Sequence, residues 1–221
     1  MNRIPTVAVI VPVYNQVRFI ARCIRSLIAQ DFPRDDYEII VVDDASDDGT
    51  AQVLENFKDH IQILTNKKNK GLPAALNYGI LMTTASLVVR VDSDDYVNAG
   101  FLRMLHMFLS QNNYMDAVAC DYFLVNDTEE VIERKNCLTD PIGCGVMFRK
   151  DQLVNIGLYD EDFLRHEERD LRLRFVKEHK IYRLELPLYR YRRHSGNITN
   201  DAVEMEDNMA RLLKKHGGTI D

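Results

Sequence analysis

The chain has 221 residues, of which 46% are hydrophobic and 28% are charged, and its formal net charge at pH 7 is −6. This composition is typical of a globular domain with a full hydrophobic core, and it excludes a disordered chain. The acidic balance excludes a general nucleic-acid-binding protein, because such a protein needs a basic face to offset phosphate repulsion.

Cysteine spacing and hydropathy bear on the compartment. The four cysteines show no close pair with the spacing of a zinc site, and a chain of this length does not need disulfide bonds for stability. The N-terminus runs directly into an apolar segment at residues 7–13, without the charged leader and removable apolar segment of a signal peptide. No uncharged stretch reaches the roughly 18 apolar residues of a membrane span. We therefore expect a cytoplasmic protein.

Strands and helices alternate over the first hundred residues. Continuous apolar, β-branched runs predict buried strands at residues 7–13, 37–42, 61–64 and 87–91. Helical spacing of apolar residues predicts helices at residues 19–28, around 53–57, and at 71–82. Repeated strand–helix–strand units indicate crossover connections, and hence a parallel sheet.

The second half of the chain has a more mixed pattern. Helices are predicted at residues 101–109, 151–155, 167–178 and 203–216. Strands are predicted at residues 117–125, 130–135, 143–148 and 181–191. Since no internal repeat or long linker interrupts the chain, we predict one α/β domain over residues 1–221, with a Rossmann-like, mostly parallel sheet flanked by helices.

The acidic motif Asp92-Ser93-Asp94-Asp95 directly follows the predicted strand at residues 87–91. Ligands of parallel sheets bind beyond the carboxyl ends of the strands. Two carboxylates one residue apart at that edge can reach Mg²⁺ or Mn²⁺, which prefers oxygen ligands and keeps water and substrate phosphates in its remaining positions. We therefore favour a metal site over a simple acidic turn.

A second acidic motif, residues 43–50, follows the predicted strand at residues 37–42. Its later residues have the chemistry of a turn and a helix N-cap. Asp44 is closest to the strand, and its carboxylate could accept a hydrogen bond from a base N–H or a ribose hydroxyl. Lys70, beside Gly71 at the start of a predicted helix, could contact a phosphate or the base, or belong to an ordinary loop.

Two further groups of charged residues lie in the second half. Glu167 and Glu168 begin a predicted helix, where acidic residues favour the helix dipole and where a carboxylate facing the open end of the sheet could act as a general base. Residues 189–197 contain three arginines and His194; arginine can bind phosphate oxygens, and His194 could bind a metal or a phosphate. Alternate strand residues point in opposite directions, so the three arginines cannot all face one ligand.

Together these motifs resemble the family 2 inverting nucleotide-sugar glycosyltransferases, which have the glycosyltransferase A fold. The resemblance covers nearly the whole chain and depends on the order of the motifs rather than on any one of them. The motifs are VIVPVYN at 9–15, EIIVVDDAS at 38–46, NKG at 69–71, DSDD at 92–95, GLYDE at 157–161 and EERDLRLR at 167–174.

The resemblance implies a role for each candidate residue. The expected nucleotide-binding residues are Pro12, Tyr14, Asn15, Asp44, Lys70, Asp92 and Ser93. Asp94 would hold Mn²⁺ or Mg²⁺ against the donor diphosphate, and His194 is expected in the segment that closes over the donor, as a second metal-binding residue. The acid pair of the family is Glu-Asp, with the aspartate as base; this chain has Glu167-Glu168, which implies Glu168 as the base and leaves Glu167 as the alternative.

The implied reaction moves a sugar from a nucleoside-diphosphate sugar, most commonly a UDP-sugar, to an acceptor hydroxyl with inversion. The expected acceptor is a saccharide or a lipid-linked sugar of bacterial surface polysaccharide or glycolipid synthesis, which is compatible with peripheral membrane association at the inner face. Residues 1–98 would form the nucleotide-binding half and residues 99–221 the acceptor-binding half. The sequence does not indicate an oligomeric state.

Other functions fit the sequence less well. A sugar-phosphate nucleotidyltransferase is disfavoured because that class is expected to have a glycine-rich, arginine-containing loop after the first strand. This chain has Pro12-Val13-Tyr14-Asn15 at that position. A catalytically silent sugar-nucleotide-binding or scaffold protein is disfavoured by the intact acidic residues. A dehydrogenase is disfavoured because no G-x-G-x-x-G follows the first strand. A two-carboxylate hydrolase would leave the strand-end motif without a role.

Overall fold

The computed structural model describes residues 4–194 and 202–218, with the side chains of the second segment described from residue 208 onward. Its strands are β1 (Val7–Val13), β2 (Tyr37–Asp43), β3 (Gln62–Thr65), β4 (Leu87–Arg90), β5 (Tyr96–Val97), β6 (Ala117–Val125), β7 (Val131–Lys135), β8 (Val146–Arg149) and β9 (Ile181–Arg192). Its helices are α1 (Ile20–Ile28), α2 (Thr50–Glu55), α3 (Leu72–Met82), α4 (Phe101–Gln111), α5 (Lys150–Asn155), α6 (Glu167–Phe175) and α7 (Ala202–His216).

All the strands of the described residues join one sheet, in the order β3-β2-β1-β4-β8-β6-β9-β5, with β7 paired to β6. Strands β3, β2, β1 and β4 are parallel, as predicted from the strand–helix alternation. Beyond β4, the β4–β8, β8–β6, β6–β7 and β9–β5 pairings are antiparallel, and only β6–β9 is parallel. The single α/β domain is therefore confirmed, but its sheet is mixed, and the expected mostly parallel arrangement holds for the first half alone.

The physical reason for the mixed sheet lies in the connections. Parallel neighbours need a crossover of a dozen or more residues, usually a helix, whereas antiparallel neighbours can be joined by a short loop. The first half supplies a helix between successive strands. In the second half β6 and β7 form a hairpin, and β8 enters between β4 and β6.

Both faces of the sheet are covered by helices. Along β1, Val7, Val9 and Val11 pack in one core cluster with residues of α1 and α4, while Ala8 and Ile10 pack in the other with residues of α3, α5 and α6. Successive strand residues point to opposite faces, so a strand covered on both sides is apolar at every position. This double burial explains the continuous apolar run in the sequence.

Helix α3 lies close against the sheet. A Cβ added at Gly79 would lie 2.7 Å from Ile10 Cγ2 and 3.1 Å from Val42 Cγ2, so only glycine allows this approach. The close contact fixes the helix whose first turn borders the candidate site.

The C-terminal helix α7 packs on the same chain. Leu212 is fully buried, and Lys215 and His216 contact Asp170 of α6 at 2.7 and 2.9 Å. Leu212 therefore faces the core of its own chain, while the side chain of Met205 lies outside the described residues. None of the described helices has both the length and the apolar character that a membrane span requires.

Candidate active site

The predicted site residues meet where β1, β2 and β4 end. Val13 pairs with Asp43 across the two strands, and Asp44 N donates a hydrogen bond to Val13 O at 2.9 Å. Val91 N, just after β4, donates to Ile10 O at 3.0 Å. The loops that follow these strands therefore lie side by side at the carboxyl edge of the sheet, where ligands of such sheets bind.

Asn15 joins the loop after β1 to the loop after β2. Its Nδ2 donates to Asp47 Oδ1 at 2.9 Å, its Oδ1 accepts from Asp47 N at 2.9 Å, and its backbone N–H donates to Ser46 Oγ at 3.0 Å. Both polar atoms of the side chain are thus engaged within the protein. Asn15 therefore joins the two loops, and the side chain of its neighbour Tyr14 is 45% exposed.

Asp44 organises the loop before α3. Its carboxylate accepts hydrogen bonds from Asn66 Nδ2 at 2.7 Å, from Lys70 N at 3.0 Å and from Gly71 N at 2.8 Å. Gly71 has φ of +92°, a conformation that glycine adopts without strain. These donors reach both oxygens, so the carboxylate predicted to contact the base or ribose also holds the loop that carries the exposed Lys70 side chain.

The three carboxylates after β4 have different partners. Asp92 accepts from Arg90 Nε at 2.6 Å and from Arg90 Nη2 at 3.1 Å. Asp94 Oδ2 lies 2.9 Å from His194 Nε2. Asp95 is buried and accepts from Tyr189 Oη at 2.8 Å and from the backbone N–H of Arg192 at 2.7 Å. Ser93 is buried in the turn between Asp92 and Asp94.

Asp94 and His194 fit a divalent cation. They are 100 residues apart in sequence, yet their side chains meet and remain 16% and 6% exposed. A carboxylate oxygen and an imidazole nitrogen are donors that suit Mn²⁺, and Mg²⁺ would be held mainly through oxygen. Arg192 Nε donates to Asp94 O at 2.9 Å, and the Phe19 ring lies 4.7 Å from the His194 ring. These contacts hold both side chains in place.

A neighbouring cluster of side chains is a poorer candidate for holding a divalent cation. Donor atoms of Asp92, Asp95 and Cys144 lie within 4.8 Å of one another. However, Arg90 already binds Asp92, and Asp95 is bound by Tyr189 and Arg192. Burial, reinforced by Asp92 and Asp95, raises the pKa of the Cys144 thiol well above its usual range. This cluster is an internal hydrogen-bonded network.

The two glutamates at the start of α6 differ in environment. Glu167 is buried and accepts from Arg90 Nη1 at 2.9 Å; burial raises its pKa to about 7, although Arg90 opposes that shift. Glu168 is half-buried, and its side chain makes no hydrogen bond or ion pair with another residue that the structure describes. It lines a cleft whose walls include Ile142, Phe148 and Leu171. One carboxylate is fixed, and the other is available to a ligand.

The profile of the family described as Glycosyl transferase family 2 matches residues 8–158 of the chain. The chain belongs to glycosyl transferase family 2. Its match covers the carboxyl ends of β1, β2 and β4, with Asp44 and the motif at 92–95, while Glu167, Glu168 and His194 lie beyond it.

Named glycosyltransferases are among the relatives of this family 2 chain. The poly(ribitol-phosphate) β-N-acetylglucosaminyltransferase TarS of Staphylococcus aureus is 35% identical over 111 residues, which are 48% of this chain and 19% of TarS. The uncharacterized glycosyltransferase EpsJ of Bacillus subtilis is 28% identical over 221 residues, which are 89% of this chain and 63% of EpsJ. The matched residues thus span about a fifth of the length of TarS.

Solved structures confirm the glycosyltransferase A fold. Residues 1–349 of Staphylococcus aureus TarS in complex with UDP-GlcNAc superpose with a TM-score of 0.79 and 22% identity, covering 95% of this chain and 66% of that one. The mannosyltransferase PcManGT from Pyrobaculum calidifontis, in complex with GDP-Man and Mn²⁺, gives 0.76 and 18% identity, covering 99% and 66%. At these identities the similarity establishes the shared fold.

Sequence reasoning missed two residues that organise the site. Arg90 contacts both Asp92 and Glu167, and Tyr189 donates to Asp95 and accepts from Asp92 N at 3.0 Å. An arginine within an otherwise apolar strand was the available signal for Arg90, because a buried charge needs a partner. Tyr189 carried no such signal, since aromatic residues are ordinary in strands.

Proposed function

We propose that this protein transfers a sugar from a nucleoside-diphosphate sugar to an acceptor hydroxyl with inversion, using Glu168 as the general base and holding a divalent cation with Asp94 and His194. The observation that carries the proposal is the half-buried carboxylate of Glu168. It has no partner within the described residues, and its neighbour Glu167 is joined through Arg90 to the loop that bears Asp94.

The donor would lie at the carboxyl edge of β1, β2 and β4. Tyr14 offers an exposed ring beside the buried Pro12, and Lys70 offers a cationic side chain on the loop that Asp44 holds. Asp92 and Ser93 would border the ribose. The TarS structure contains UDP-GlcNAc, and this supports a UDP-sugar as the first donor to test.

A divalent cation held by Asp94 and His194 would supply positive charge against the diphosphate as it becomes the leaving group. The chain's own residues prepare that position: Arg192 fixes the backbone of Asp94, and Phe19 packs beside the imidazole of His194. The PcManGT structure with Mn²⁺ supports Mn²⁺ as the ion to try first.

Glu168 would accept the proton of the acceptor hydroxyl as that oxygen attacks the anomeric carbon on the face opposite the leaving group. Glu167 is the weaker choice for this role, because Arg90 already occupies its carboxylate. The acceptor would enter along the apolar cleft beside Glu168. We propose a saccharide or lipid-linked acceptor of a bacterial surface polymer, handled at the cytoplasmic face of the membrane; the poly(ribitol-phosphate) glycosyltransferases among the relatives support a polymer as acceptor.

The test measures nucleotide binding and turnover separately. Release of nucleoside diphosphate from UDP-GlcNAc, UDP-glucose and GDP-mannose is followed with and without Mn²⁺, and UDP binding is measured by thermal shift. Asp94→Ala should abolish Mn²⁺-dependent UDP binding. Glu168→Gln should keep UDP binding and lower turnover at least ~100-fold, within the range that general-base catalysis supplies.

Glu178→Gln, an exposed glutamate in the turn after α6, is the matched control and should leave turnover unchanged. Turnover by Glu168→Gln at the wild-type rate would move the base elsewhere. No thermal shift with any nucleoside diphosphate in well-folded protein would favour a catalytically silent protein instead.

A further inference from the structure

Arg90 joins two carboxylates from opposite halves of the chain. Its guanidinium lies at the end of β4 and is 10% exposed. Nε and Nη2 donate to the two oxygens of Asp92 at 2.6 and 3.1 Å, and Nη1 donates to Glu167 Oε1 at 2.9 Å. Two parallel bonds to one carboxylate fix the plane of the guanidinium, so the third bond leaves in a defined direction.

Gly143 provides the room for this arrangement. A Cβ at this position would lie 2.9 Å from Arg90 Nη1 and 2.9 Å from Glu168 Cβ. The backbone at Gly143 therefore packs directly against both the guanidinium and the candidate base. Nearby, Gly145 N donates to Arg90 O at 3.1 Å, which holds the same loop against the end of β4.

The contacts form a continuous path from the donor side to the base. Asp92 lies two residues before Asp94, and Arg90 connects it to Glu167, the first residue of α6. Because a helix is rigid over one turn, fixing Glu167 fixes the backbone from which Glu168 projects. A change at Arg90 would therefore change the distance between donor and base without touching either.

We propose that Arg90 is a positioning residue, which sets the placement of the Glu168 carboxylate relative to the donor loop at Asp92. The inference rests on the proposed function, in which Glu168 is the base. Arg90 acts through Asp92 and Glu167 rather than on the reacting atoms. Small displacements of a reacting group are costly to the chemical step. Nucleotide binding is spread over several contacts, and the backbone of Asp92, which would border the ribose, is also held by Tyr189.

A second arginine–carboxylate pair provides a matched control. Arg183 Nε and Nη2 donate to the two oxygens of buried Asp121, both at 2.8 Å. This pair joins β9 to β6 and contacts none of the candidate site residues. Arg90→Lys and Arg183→Lys each remove a bidentate hydrogen bond to a carboxylate. The loss at Arg90 should lower turnover, and the loss at Arg183 should not.

The experiment compares Arg90→Lys, Gly143→Ala and Arg183→Lys with the wild-type protein. The measurements are the Kd for UDP with Mn²⁺, and kcat and KM with the UDP-sugar that the wild-type protein uses. Arg90→Lys should keep the Kd for UDP within about threefold and lower kcat at least ~30-fold, on the scale that misplacement of a reacting group costs. Gly143→Ala keeps every charge but crowds Arg90 and Glu168, so it should show the same split even where the lysine variant folds poorly.

Three results would overturn the inference. They are an unchanged kcat in a folded Arg90→Lys or Gly143→Ala variant, a parallel loss of UDP binding and kcat, and an equal kcat loss in Arg183→Lys. Failure of the proposed function is distinguishable, because it would appear as wild-type protein that releases no nucleoside diphosphate from any donor, or as Glu168→Gln with full turnover. In either case the positioning role of Arg90 would be refuted together with the proposed function.

Discussion

Replacing Asp44 with asparagine tests whether its carboxylate organises the loop before α3 or contacts the nucleotide directly. Asp44 accepts from the backbone N–H groups of Lys70 and Gly71 and from the side-chain amide of Asn66. Asparagine keeps one oxygen for the two backbone donors, and Asn66 can turn its amide to accept from the new NH₂ group. The change that cannot be compensated is the loss of charge on the two backbone bonds.

The size of the effect follows from those two bonds. A hydrogen bond to a charged group contributes about 1.5–3 kcal/mol, and one between neutral groups contributes about 0.5–1.5 kcal/mol. The difference is about 1 kcal/mol per bond, so Asp44→Asn should lower the free energy of unfolding by about 2 kcal/mol. Asp44→Ala removes both backbone bonds entirely and leaves the buried Asn66 amide without its acceptor, so it should cost at least about 4 kcal/mol.

The assay is urea denaturation of the protein without any ligand, so that a binding role cannot contribute. Asp47→Asn is the control, because Asp47 is exposed in the same loop and the variant keeps an oxygen to accept from Asn15. Its unfolding free energy should stay within about 0.5 kcal/mol of wild type. If Asp44→Asn is as stable as wild type and only UDP binding is weaker, Asp44 is a nucleotide ligand and its loop-organising role is refuted.

Asp121 and Gly79 give two further predictions. Hydrogen bonds from Arg183 and Arg134 hold the pKa of Asp121 in the folded protein well below its usual range. The stability that ionised Asp121 contributes is therefore fully present above the unfolded-state pKa of about 3.9, and it is lost as the pH falls through the folded-state pKa. Asp121→Asn should therefore destabilise most at about pH 6 and less at about pH 3 in urea denaturation; an equal cost at both would contradict this. Gly79→Ala should lower the free energy of unfolding by roughly 1–3 kcal/mol, because the added Cβ would lie 2.7 Å from Ile10. A thermal denaturation midpoint at or above that of the wild-type protein would contradict this and show that β1 shifts to make room.

The sequence alone determined the first half of the fold. Strands β1, β2 and β4 are buried on both faces, so their apolar runs are continuous and visible without any knowledge of neighbours. Helices between them require parallel pairing, and parallel strands end at one edge. For this reason the acidic residues after β2 and β4 could be placed together, and they do lie at the same edge.

Only the tertiary structure decided which partner each acidic side chain has. Asp94 meets His194 across 100 residues, and Arg90 reaches Glu167 across 77. Asp44, one residue beyond its strand, turned out to hold a loop. The two-residue strand β5 was missed because two residues have no periodicity to detect.

These outcomes share one physical reason. The periodicity of apolar residues along the sequence indicates which side of a helix or strand is buried. It does not indicate where that helix or strand lies in the fold. Partners of a buried polar group depend on strand order and loop path, and β8 and β9 take places in the sheet that no local pattern encodes. The sequence therefore determined which residues lie at the edge of the sheet. The tertiary structure determined which of those side chains are hydrogen-bonded to other residues of the protein.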